Sequence, residues 1–434
     1  MSETQALRAP PVLNLQMIFT ALDSMAVSLP FILGSTVILF TQVAPTAMGA
    51  GFFAAFMGVA WVTLFTSHSG RPIAYATRFL EATTLATLVQ QMAAQLPRYG
   101  LQDTESMRLG LMCGLTAMAG LVVGLLWLLR AEWLARFIPA PVYLGFASSI
   151  ALSVLLSQWS SLAKQISQPQ AGLWAAATVI SVVVCAQVVG RFRPQWPASA
   201  LGLIAGILVG AVGALSMTPL PKLIESQSWH LPVQLADFTG LWGPAGHRWG
   251  WWMELIQGAL MLGVLVFLNN VATSEQMAQK DDRRLLKPSD KAFQALAIAS
   301  AGALGSPAIS GSNVVSFMAA RSQPLNRWTL GALALSLAGL YCSSALVLVP
   351  VAALSGLLLV EAWKLWDRTS VRHAWLLLRG DPLEWHHKED LMLIAGVTAV
   401  SLLANMVAAL MAGLLLGLLL HAHRNTQKPI RRTM

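Results

Sequence analysis

Charge is scarce in this sequence. Asp, Glu, Lys and Arg together make up 11% of its 434 residues, against 56% hydrophobic. A water-soluble domain of this size needs far more charge to cover its surface, so a soluble fold is excluded. Cysteine is almost as rare. Cys113, Cys185 and Cys342 all fall inside apolar stretches, which excludes a disulfide scaffold and reads as reduced, small hydrophobic residues. No His-Glu-x-x-His helix, Walker loop, nucleophile elbow or dinucleotide fingerprint occurs, so nothing points to an enzyme, a metal site or a cofactor. The opening MSETQALRAPPV lacks the basic segment and small-residue cleavage site of a secretory signal, and insertion is expected to start from the first internal span.

What the sequence has instead is a succession of long apolar runs and a mean hydropathy of +0.62. Each run approaches the roughly 20 residues that a helix needs to cross a bilayer. They lack the period-two alternation of a barrel strand. The expected fold is an all-α polytopic membrane protein with about 14 transmembrane segments. A short segment, 1–12, precedes one membrane domain over 13–422, and a basic tail occupies 423–434. The membrane domain divides into a first half near 13–216 and a second near 251–422. The loops RAEWLAR, GRFR and QKDDRRLLKPSDK and the tail HRNTQKPIRRTM concentrate Lys and Arg on one face. That is the positive-inside pattern, so both termini are expected in the cytoplasm. The net charge of +9 is thereby read as topology and lipid contact rather than nucleic-acid binding. Trp249, Trp251 and Trp252 are expected to form an interfacial aromatic belt at the mouth of the following span.

Two stretches break the pattern. TSHSGRPIAYATR (66–78) and GSPAISGSN (305–313) each put Ser, Gly and Pro between apolar segments, one in each half. Irregular backbone at membrane depth is tolerated only where protein buries it or where it lines a polar cavity. Paired interruptions in the two halves of a chain mark the binding site of a transporter. A helix that begins inside the membrane leaves its first N–H groups unpaired and partly positive, a cradle for an anion. The candidate binding residues are Ala76, Thr77 and Arg78 at the first break. At the second they are Ser310, Gly311, Ser312 and Asn313.

These stretches, with SLPFILG, RFIPAPVYLGFASSIALSVLLSQ and the block from NNVATSEQMAQ through KPSDKAFQALAIASAGALGSPAISGSN, resemble the sulfate permease (SulP) family of anion transporters. The resemblance implies two inverted seven-helix repeats. Their third and tenth helices are half-helices meeting mid-membrane, and a core domain slides against a gate domain in an elevator-like cycle. It also implies a homodimer in the cell membrane.

The sequence departs from the family in three places. The family's carboxylate in the eighth span is replaced by Asn270, with Ser274 one turn on; both are candidate ligand contacts, but Asn cannot carry a proton. The Arg that follows the Ser-Gly-Ser turn in the family is absent, and Arg78, opposite that turn, is the candidate replacement. A charge at this depth is costly and therefore a functional candidate. It either meets the anion or pairs with Glu81 at i+3. Glu81 and Asp23 are the carboxylates at depth available for coupling. Third, the family usually ends in a STAS domain, which this chain is expected to lack. Gly34 and Ser35 in the first span are expected to complete the cavity. The expected function is secondary transport or exchange of a small anion: sulfate, bicarbonate, chloride or a small carboxylate. The alternatives are an uncoupled anion channel or a nucleobase permease of the same fold.

Overall fold

The computed structural model describes residues 15–67, 73–131, 171–193, 198–215, 229–238, 249–281, 288–312, 327–342, 348–365 and 385–403, with isolated residues between these segments and a few side chains within them left out. The described chain is almost wholly helical. In order come α1 (Leu15–Val43), α2 (Met48–Thr66), β1 (Tyr75–Thr77), α3 (Phe79–Ala93), α4 (Glu105–Leu128), α5 (Ala171–Phe192) and α6 (Ala198–Leu215). Then follow α7 (Trp249–Asp281), α8 (Pro288–Ala303), β2 (Ile309–Gly311), α9 (Arg327–Cys342), α10 (Val351–Leu365) and α11 (Trp385–Leu403).

Among the described residues, four stretches are long and apolar enough to span a bilayer: Pro45–Thr66, Glu105–Leu128, Ala171–Phe192 and Trp249–Val271. Leu121, Leu125 and Leu128 on α4, Ile180 and Val184 on α5 and Leu208 on α6 are all exposed. An apolar exterior of this extent belongs in lipid rather than water.

Local sequence sets several helix ends. Thr104 caps α4 by accepting the Met107 N–H at 3.3 Å, and Glu105 adds a negative charge to the first turn. At the end of α8, Gly305 takes φ 93°. The Gly305 N–H then reaches the Gly302 carbonyl at 2.9 Å and the Ser306 N–H reaches Ala301 at 3.1 Å, the paired bonds of a Schellman turn. This turn stops the helix and releases the chain into β2.

Small residues decide which helices come close. A methyl group added at Gly120 of α4 would fall on the Ala299 backbone of α8, and one at Gly302 on the Thr116 backbone. The α4–α8 crossing is therefore a backbone-to-backbone approach that lacks room for a Cβ. Helices α3 and α7 complete the packing around α4, while α2 lies against α8 and α9. Helices α5, α6 and α10 pack on one another and meet the remainder through α1.

The expected aromatic belt divides. Trp249 is exposed, as an interfacial anchor would be, but Trp251 is buried and stacks edge-on against Tyr99 at 5.2 Å. Helical geometry explains the split: two residues apart, the rings point to opposite sides of α7.

Candidate functional site

The two interruptions meet. β1 and β2 pair antiparallel, with Tyr75 opposite Gly311, Ala76 opposite Ser310 and Thr77 opposite Ile309. These are three-residue strands in a helical protein. Their pairing satisfies backbone groups that would otherwise be stranded at depth. The Ser312 N–H extends the seam by donating to the Ala74 carbonyl at 2.9 Å. Ser316 closes it by accepting the Ala74 N–H at 2.9 Å.

Helix α3 starts immediately after β1. Its N-cap is Arg78, in extended conformation and with no capping side-chain bond. The first-turn N–H groups are therefore left without the side-chain acceptor that Ser, Thr, Asp or Asn supplies elsewhere. Arg78 is half-buried. The alternative, an ion pair with Glu81, does not form: among the described residues no salt bridge joins the two side chains. Glu81 turns instead toward α7 and β2. Its Oε1 accepts from Asn269 Nδ2 at 2.6 Å and from the Ser310 hydroxyl. Its Oε2 is buried and has no partner among the described residues. The physical reason is competition: two directed donors hold one carboxylate oxygen and draw the group away from Arg78.

Helix α7 braces the other strand. Asn270 Oδ1 accepts the Gly311 N–H at 2.6 Å, and the Thr273 hydroxyl donates to the Gly311 carbonyl at 3.0 Å. Asn270 is fully buried, yet among the described residues its Nδ2 lacks a partner, as does the Ser274 hydroxyl. Half of Asn270 therefore holds the backbone while the other half is an uncommitted donor. Ser35 of α1 donates to Thr77 Oγ1 at 2.6 Å, which ties the first span to β1. Gly34 allows the same approach, since a Cβ there would strike Phe79 and Leu358. The base of the seam is fixed by Gln294, which donates to Tyr75 Oη at 2.6 Å and accepts from Trp127 Nε1 at 2.9 Å.

The structure thus brings Ala76, Thr77, Ser310, Gly311, Ser312, Asn270 and Glu81 together around the β1–β2 seam, with Arg78 next in the chain at the start of α3 and Ser274 four residues beyond Asn270 on α7. Asn313 lies outside the described residues. Asp23 lies on α1, but its side chain is also outside them. Sequence reasoning missed Asn269, Thr273, Gln294 and Ser316. The signal for Asn269 and Thr273 was available: they repeat, one residue earlier, the four-residue spacing of Asn270 and Ser274. Among the described residues no group of His, Cys, Asp and Glu could hold a metal ion.

Two strand ends, an uncapped helix and unpartnered donors inside an apolar helical body define a multi-pass membrane protein of the transporter class. The chain belongs to the sulfate permease family, which it matches over residues 36–386. The transmembrane domain of the bicarbonate transporter BicA from a cyanobacterium has the same fold. Its TM-score is 0.68 at 15% identity, over 92% of this chain and 98% of that one. SLC26A9 is also similar, with a TM-score of 0.67 at 13% identity, over 94% of this chain and 65% of that one. Murine Slc26a9 in the inward-facing state gives 0.67 at 13% identity, over 96% and 70%. No curated protein matches the chain by sequence. The family and these neighbours are transporters rather than enzymes.

Proposed function

We propose that this chain is a secondary transporter or exchanger of small anions that seats its substrate between the start of α3 and β2. The observation that carries the reading is Arg78. Its half-buried guanidinium has no hydrogen bond or ion pair among the described residues, and it stands at the uncapped end of a helix. Two further donors without a partner among the described residues, Asn270 Nδ2 and Ser274 Oγ, lie on α7, the helix that braces β2. A buried donor without a partner costs about 1–3 kcal/mol, which a bound anion would recover. An anion fits this set far better than a cation or an apolar solute.

The antiparallel joining of residues 75–77 to 309–311 supports an inverted-repeat plan with half-helices at the centre. The gathering of α5, α6 and α10 apart from the helices around β1 and β2 supports a core moving against a gate. The bicarbonate and anion transport named for the structural neighbours supports an inorganic anion as substrate. Sulfate and small carboxylates fit the same donors. On this reading the protein is a homodimer in the cell membrane, with both termini cytoplasmic.

The test is uptake of radiolabelled sulfate, bicarbonate, chloride and succinate into proteoliposomes containing the purified chain. Saturable uptake of one of them, accelerated by the same anion inside, is expected. A flux that rises without saturation would identify a channel. No flux with any of the four would refute the reading.

A further inference from the structure

Between α10 and α11 the chain runs through RTSVRHAWLLLR (368–379), which holds three Arg and no Asp or Glu. Asp367 and Asp381 lie beyond its two ends. Four of its residues are described, Arg372, Trp375, Leu376 and Arg379, and all four are helical. At 3.6 residues per turn, Arg372, Trp375 and Arg379 fall within an arc of about 60° on one face. All three side chains are exposed, and Trp375 keeps 52% of its surface open. Leu376, at the edge of the same face, is half-buried. The Arg379 guanidinium carbon stands 3.8 Å from the centroid of the Trp375 ring, a cation–π contact.

A helix face turned to water carries cations readily but gains nothing from a large exposed indole. A bilayer surface uses both. Trp settles at headgroup depth with its ring against the acyl boundary, and Arg lays its stem along apolar surface while its planar fork meets phosphate. The stretch is also held close to such a surface. The apolar helix α10 ends at Leu365 before it and α11 begins at Trp385 after it, so it is tethered at both ends to elements of the membrane domain. Trp363, near the end of α10, is exposed as an interfacial anchor is. The cation–π contact adds pre-organisation: Arg379 is held beside the ring before a ligand arrives, so less side-chain freedom is lost on binding.

We propose that the Arg372–Trp375–Arg379 face is an anchor for the anionic phospholipid headgroups of the membrane surface. The indole enters the headgroup layer, and the two guanidinium groups take phosphate oxygens. Because α10 packs with α5 and α6, lipid bound here fixes that group of helices against the surface of the bilayer. The anchor is separate from the β1–β2 seam and does not depend on which solute crosses.

The experiment measures amide hydrogen exchange across residues 372–379 of the full chain in nanodiscs of phosphatidylcholine, with and without phosphatidylglycerol. Each Arg near an anionic surface is worth about fivefold in affinity, so phosphatidylglycerol should slow the wild-type exchange by about 30-fold. Arg372→Gln or Arg379→Gln alone should leave about fivefold of that slowing. The double variant should exchange at one rate in both lipids. Both side chains are exposed, so the unfolding midpoint should not move. Wild type in about 1 M salt should lose the difference as well, because the screening length falls to about 3 Å. Equal wild-type rates in the two lipids would overturn the proposal, as would a difference that survives the double substitution or the salt. Slowing by glycerol phosphate in phosphatidylcholine nanodiscs would also overturn it, since the face would then take a soluble phosphate.

Discussion

Asn270 and Ser274 lie one turn apart on α7, and the structure predicts opposite outcomes when each loses its polar group. Asn270 Oδ1 is the acceptor for the Gly311 N–H at 2.6 Å. Asn270→Leu keeps the branching at Cγ and the number of heavy atoms, so no cavity opens, but it leaves that amide buried and unpaired. Stranding a buried backbone donor costs about 1–3 kcal/mol, while the lost Nδ2 costs nothing because it bonds to nothing among the described residues. The Ser274 hydroxyl is buried without a partner among the described residues. Ser274→Ala therefore removes a desolvation penalty and should leave stability unchanged or raise it by up to about 1 kcal/mol. The assay is thermal unfolding of detergent-purified protein at a fixed scan rate, since unfolding of a membrane protein is commonly irreversible. Equal destabilisation by both variants, or an Asn270→Leu protein as stable as wild type, would refute the argument that α7 holds β2 through Asn270.

Other predictions follow from the same geometry. Gly120→Ala should destabilise by about 1–3 kcal/mol, because its methyl would meet the α8 backbone, whereas Gly114→Ala, with open space around it, should be neutral or slightly stabilising; unfolding midpoints measured side by side check both. Gln294→Leu should cost about 2–4 kcal/mol by stranding Trp127 Nε1 and freeing the Tyr75 ring of β1, and the change in tryptophan fluorescence reports it directly. At the edge of the membrane, the Arg108 guanidinium hydrogen-bonded to Asp103 at 2.6 Å holds that carboxyl below the usual carboxylate range. A lowered value means the pair stabilises the fold above about pH 4 and ceases to do so as pH falls through the lowered value. Both side chains are about a third exposed (30% and 32%), so Asp103→Asn should cost at most about 1 kcal/mol at neutral pH and nothing in strong acid.

Much of this arrangement is legible in the residues themselves, because membrane depth makes rules strict. Ser, Gly and Pro interrupting an apolar run point to backbone that is buried or that lines a cavity, and residues 75–77 of the first interruption prove to pair with 309–311 of the second. Gly305 could be read as a helix stop, and it is one. Which polar groups bond to which could not be read. The i+3 spacing allowed Arg78 either to meet the anion or to pair with Glu81, and Glu81 turns to Asn269 and Ser310, which lie at sequence separations of 188 and 229 residues. Spacing within a helix reports neighbours on that helix only, and the competing donors arrive from other elements. The same limit hid Gln294, whose partners Tyr75 and Trp127 are 219 and 167 residues distant. Trp251 failed as a belt residue for a related reason. An aromatic residue at a span entrance serves lipid or core according to its helical face, and the face is fixed by packing partners such as Tyr99.

The central claim is that an anion sits at Arg78, and anion counterflow in proteoliposomes carrying wild type, Arg78→Lys and Arg78→Gln tests it most directly. A charge-assisted hydrogen bond is worth about 1.5–3 kcal/mol, or roughly 10- to 150-fold in affinity. Arg78→Gln should therefore raise the half-saturating concentration of the transported anion by that factor or abolish counterflow, with Arg78→Lys intermediate and the unfolding midpoint little changed. Saturable counterflow with the same half-saturating concentration in all three proteins would place the anion elsewhere and contradict the account.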